Sequence, residues 1–70
     1  MYGLFENSYE WYEWNEFMCA SEDKNKLIEY ITTHLNNEYK LLEKDSSEQK
    51  AAEQKEITHY VILEIEYLED

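Results

Sequence analysis

From Thr58 to Leu68 apolar and polar residues alternate with a period of two, and this pattern constrains the fold more than any other. Val61, Leu63, Ile65 and Tyr67 fall on one side; Tyr60, Ile62, Glu64 and Glu66 fall on the other. Successive side chains of a strand point to opposite faces, so one face is wholly apolar and the other becomes acidic. Such a strand must bury its apolar face, and the chain supplies a cover. Leu27, Ile28, Ile31, Leu35, Tyr39 and Leu42 recur at spacings of one, three and four, which is a helical stripe. Ser21, Glu22 and Asp23 predict its start: a hydroxyl for the free N–H groups, then acids against the positive end of the dipole. The helix is expected from Glu22 to about Glu43, with Asn36-Asn37 as a break point. Its Leu27/Ile31/Leu35 stripe is expected to lie under the Val61 face of the strand.

The N-terminal third reads as a hairpin. Tyr2 to Glu6 is a short strand, Asn7-Ser8 a turn start, and Tyr9 to Asn15 (YEWYEWN) has strong β character. The second strand is expected to end at Ala20, after the apolar run that begins at Phe17. Asp45-Ser46-Ser47 is a further capping signal, and Glu48 to Lys55 is expected to form a helical turn or two. That segment is polar all round except for Ala51 and Ala52, so it should be the least stable part. The expected fold is α+β: a single domain over residues 1–70 with order ββαβ. Its three-stranded antiparallel sheet, first strand central, packs on one long helix. With 70 residues and one cysteine, no internal disulfide can help, and burial of aromatic and aliphatic side chains must supply the stability.

Charge is distributed as unevenly as hydropathy. Residues 1–23 carry six carboxylates and no lysine, and residues 56–70 carry five more, again with no lysine or arginine. All six lysines lie between Lys24 and Lys55, where six acids cancel them, so the net charge of −11 sits at the two ends. Those ends also hold both tryptophans, both phenylalanines and five of the seven tyrosines. A surface this negative is repelled by anionic lipid and by nucleic acid, which argues against membrane binding and direct DNA or RNA binding. The N-terminal stretch does not read as a signal peptide, and no segment approaches the roughly 20 apolar residues of a membrane span. A cytoplasmic location is expected.

Chemistry-bearing clusters are sparse. Cys19 stands beside Met18 and Ala20 with no base nearby, and reads as a small buried hydrophobe. His34 and Glu38, one helical turn apart, would give two metal ligands but no third, and read as an exposed polar pair. His59 has no partner legible in the sequence. The interleaved glutamates offer no desolvated pair for acid–base work, so neither an enzyme nor a cofactor or metal site is expected.

The acidic–aromatic segments remain. In one reading the acids only solvate the sheet and keep its edges from aggregating. In the other, Glu10, Glu13, Glu16, Glu64 and Glu66 present a patterned negative surface, with Trp11, Tyr12 and Trp14 as aromatic anchors. Glu64 and Glu66 would stand about 7 Å apart on one strand face. Eleven net charges over a body of roughly 30–35 Å average about one per 3 Å, near half the axial charge density of duplex DNA.

The N-terminal hairpin, the segment SEDKNKLIEYI at Ser21–Ile31 and the segment YVILEIEYLE at Tyr60–Glu69 together resemble small acidic proteins encoded by phages and other mobile elements. Some members of that group disable host nucleases, glycosylases or polymerases, and several are DNA mimics. The resemblance implies a non-enzymatic anti-defence inhibitor acting in the host cytoplasm. Its partner would be a basic nuclease, restriction, CRISPR, repair or transcription protein. An adaptor or homo-oligomeric module, down to a simple homodimer, with a solubilising acidic surface is the alternative.

Overall fold

The computed structural model describes residues 1–10 and 14–65. The chain is α+β, as the patterning predicts, but its sheet has four strands and is mixed. Strand β1 (Tyr2–Ser8) and strand β2 (Trp14–Ser21) form the antiparallel hairpin. Helix α1 (Lys24–His34), the two-residue strand β3 (Leu41–Leu42), helix α2 (Ser47–Gln54) and strand β4 (His59–Glu64) follow. The strand order is β2-β1-β4-β3, with β1 antiparallel to both neighbours and β3 parallel to β4. The first strand is central among the three long ones, as expected.

Three expectations need correction. Asn7-Ser8 does not turn; both residues are buried within β1, opposite Asn15 and Trp14 of β2. The helix expected to reach about Glu43 stops at His34, just short of the expected Asn36-Asn37 break point. Leu42, expected to close its stripe, instead sits in β3, where Leu41 and Leu42 pair with Tyr60 and Val61. Asn36 explains the stop: its side chain accepts from the Glu38 N–H at 3.0 Å, a local turn that competes with helix continuation. The helix also starts later than the expected Glu22, and Ser21 is not its cap. Asp23 is the N-cap, accepting from Asn25 N–H, while the Ser21 hydroxyl accepts from Asp23 N–H one step earlier.

The third correction concerns the face of β4. Helix α1 packs on Tyr60 and Ile62, not on Val61 and Leu63: the core joins Leu4, Leu27, Ile31 and Tyr60, with Leu35, Tyr39 and Ile62 against it. Tyr60 carries enough apolar ring to serve as core, and Leu4 of β1, opposite Ile62, completes the row. Val61 and Leu63 therefore face the other way, with Phe5 and Gly3. A side chain on Gly3 would stand only 3.0 Å from Phe5 and 3.2 Å from Ile65, so the glycine lets these two close over β1.

Helix α2 lies toward that second face, and Ser46 caps it by accepting from Gln49 N–H. Its polar composition does not leave it unattached. Gln49 is 1 % exposed and fully engaged: Oε1 accepts from Asp45 N–H, and Nε2 donates to Glu53 and to His59. The helix ends with paired bonds from Glu56 N–H to Glu53 C=O and from Ile57 N–H to Ala52 C=O, with Glu56 at φ 55°. That is the left-handed helix stop that usually takes glycine.

Candidate acidic interaction surface

The hairpin register brings acids together that sequence spacing keeps apart. Glu6 of β1 and Glu16 of β2 are direct cross-strand partners, so their side chains share the α1 face of the sheet. Glu10, exposed just beyond β1, is the third member, because its charge also reaches Glu6. Partial burial, then Glu16, then Glu10 push the Glu6 carboxyl above the usual carboxylate range. Glu6 in turn faces Tyr60 across the β1–β4 ladder. The Tyr60 phenol is raised by burial, lowered by a hydrogen bond from the Asn36 backbone, and raised again by Glu6 and Tyr39.

The predicted site residues therefore divide. Glu10 and Glu16 gather about Glu6. Glu64 is exposed at the far end of the sheet, opposite Tyr2, four residues or roughly 13 Å along β4 from the residue that faces Glu6. Trp14 is half-buried at the start of β2. Trp11, Tyr12, Glu13 and Glu66 lie outside the described residues. Glu6 is the residue that spacing alone missed. Alternation from Tyr2 extended past Asn7, together with the hairpin register, would have paired it with Glu16.

A second polar cluster sits on the opposite face and is buried. His59, 1 % exposed, bonds the Ile57 carbonyl through Nδ1 at 2.8 Å. A carbonyl only accepts, so the proton is on Nδ1, and Nε2 accepts from Asn7 at 3.2 Å and from Gln49 at 3.3 Å. Tyr9 stacks on the ring. These residues tie β1, β4 and α2 together, and the His59 that looked isolated in the sequence is their hub. Asn7 Oδ1 is buried with no partner among the described residues.

Other candidates are quieter. Burial raises the Cys19 thiol, which disfavours the reactive thiolate. His34 lies against Tyr30 on α1, whereas Glu38 lies past the end of that helix, so the two do not form a helical pair. Among the described residues no three His, Cys, Asp or Glu side chains gather as a metal site, and no helix is long and apolar enough to cross a membrane. No protein family, curated protein or solved structure matches this chain.

Proposed function

We propose that the protein is a non-enzymatic inhibitor of the phage or mobile-element type, whose acidic hairpin occupies a basic groove on a nucleic-acid-binding partner. The observation that carries this reading is the convergence of Glu6, Glu10 and Glu16 at one end of the sheet. No lysine occurs in residues 1–23 to neutralise them. Holding three carboxylates together, one of them partly desolvated, costs stability. A partner that supplies lysine or arginine recovers that cost on binding, as phosphates of a nucleic acid do in the same groove. The groove would belong to a basic host nuclease, restriction, CRISPR, repair or transcription protein in the cytoplasm, and binding would block access of its nucleic acid.

Affinity capture from a lysate of the natural host, with and without added duplex DNA, tests the reading. A basic nucleic-acid-binding protein should be retained, then released by DNA and by high salt. Joint replacement of Glu6, Glu10 and Glu16 by Gln should abolish retention, whereas the same change at Glu29, Glu38 and Glu43 should leave it. Retention that ignores DNA, or that fails only in the second variant, overturns the proposal.

A further inference from the structure

The two edges of the sheet complement each other. Among the described residues four large hydrophobic side chains are exposed, and three of them stand at these edges. Phe17, 55 % exposed, is on β2, one edge strand. Ile28 and Ile57, 43 % and 52 % exposed, flank β3, the other edge strand. Each wall of β3 carries a hollow. On the α1 side about 340 Å³ opens between Ile28, Leu41 and Ile62. On the α2 side about 330 Å³ opens between Leu42, Ala52 and Ile57. A strand added at this edge would send successive side chains into the two hollows alternately, as in strand-addition recognition.

We propose that the occupant is β2 of a second copy, so that molecules associate head to tail, β2 of one on β3 of the next. Register is the first argument. Phe17, Phe5, Val61 and Leu42 form one row across all four strands on a single face. Extending the sheet by one strand in the same sense puts the next Phe17 beside Leu42, at the mouth of the α2-side hollow. Strands β2, β4 and β3 run in one direction, so the new pair is parallel, like β3 with β4.

Charge is the second argument. Strand β2 lies within the lysine-free acidic stretch, with Glu16 exposed on it. Strand β3 lies between exposed Lys40 and Lys44, and Lys24 and Lys55 border its hollows, against Glu43 and Glu48. Pairing β2 with β2 would instead set like charges against each other. With only two residues in β3, few main-chain bonds form, so the contact belongs to the weak, transient class. A heterologous contact of this kind builds rings or open chains, not closed two-fold dimers. The inference is independent of the proposed inhibitor function, because either can fail alone.

Complementation of edge variants tests it, read by sedimentation velocity in about 0.15 M salt, where repulsion between whole molecules is screened beyond about 8 Å. The unaltered chain should grow past dimers as concentration rises from roughly 10 μM to 1 mM, the range of weak contacts. Phe17→Glu blocks one edge and Ile57→Glu the other; both positions are exposed, and each variant should stay folded by circular dichroism and be monomeric alone. An equimolar mixture should restore a 1:1 dimer and nothing larger. Should Phe17→Glu unfold the chain, Phe17→Thr replaces it. A monomeric parent at every concentration overturns the proposal. A mixture that stays monomeric does so too, as does loss of association in the Phe17 variant alone.

Discussion

At the level of single residues, burial has turned two unremarkable side chains into determinants. Glu6 is one acid among seventeen in the sequence, yet the hairpin sets it opposite Glu16 and beside the buried Tyr60. Its carboxyl is raised in the folded state, so the native protein takes up that proton before the unfolded chain does. Above its folded pKa the charge destabilises the fold, and the penalty disappears as pH falls through that pKa toward the unfolded value. Glu6→Gln should therefore stabilise the protein at pH 7 by on the order of 0.5 kcal/mol, the scale of an opposed like-charge pair. The gain should vanish near pH ~3, where the carboxyl is neutral in both states, and urea melts at the two pH values measure it. His59→Phe makes the contrasting case. It keeps a ring against Tyr9 but leaves the Asn7 amide without its acceptor, one N–H of Gln49 unpaired beside its bond to Glu53, and the Ile57 carbonyl without its donor. Each stranded group costs about 1–3 kcal/mol, so denaturation should show a loss of several kcal/mol.

Among the elements, α2 departs most from its sequence. Its residues have no apolar stripe, and alanine is its one buried apolar type, at Ala52. What holds it is one glutamine, Gln49, with every polar atom of its amide bonded, and a capped N-terminus. Its C-terminus is built less well, since Glu56 sits at φ 55°, where a β-carbon costs roughly 1 kcal/mol. Glu56→Gly should relieve that strain. Thermal melts should report a gain of up to about 1 kcal/mol, reduced by the extra freedom glycine confers on the unfolded chain. Exchange of α2 amides should slow in the same variant, because the bonds from residues 56 and 57 close the last turn.

The chain carries eleven net negative charges, its described residues form a body 37 Å in the longest dimension, and self-repulsion opposes compaction. Screening should offset that repulsion. The melting temperature is expected to rise by several degrees between about 10 mM and 200 mM salt, as the Debye length shrinks from roughly 30 Å to under 10 Å. A flat or falling profile would mean that attractive pairs, not repulsion, dominate the surface. The same distribution divides the sheet into an acidic edge and a lysine-bracketed edge, which no single segment of the chain displays.

Local pattern was sufficient for the α+β class, the existence of the N-terminal hairpin though not the place of its turn, the cap of α2 at Ser46 and the β character of the final strand. Alternation, helical spacing and capping chemistry act over a few neighbouring residues and can be read along a line. Three things needed the tertiary structure. Leu42 continues the helical spacing of Leu35 and Tyr39, yet it and Leu41 pair with Val61 and Tyr60, because an open edge of β4 gives their backbone partners that a lone helix tail would lack. Both faces of β4 carry apolar residues, and α1 chose the Tyr60 face because Leu4 of β1 completes that row. The acidic cluster and the His59 hub join residues ten and fifty-two positions apart, so only strand register brings them together. Periodicity says which residues share a face; register, set by the packing of all the elements at once, says which of them meet.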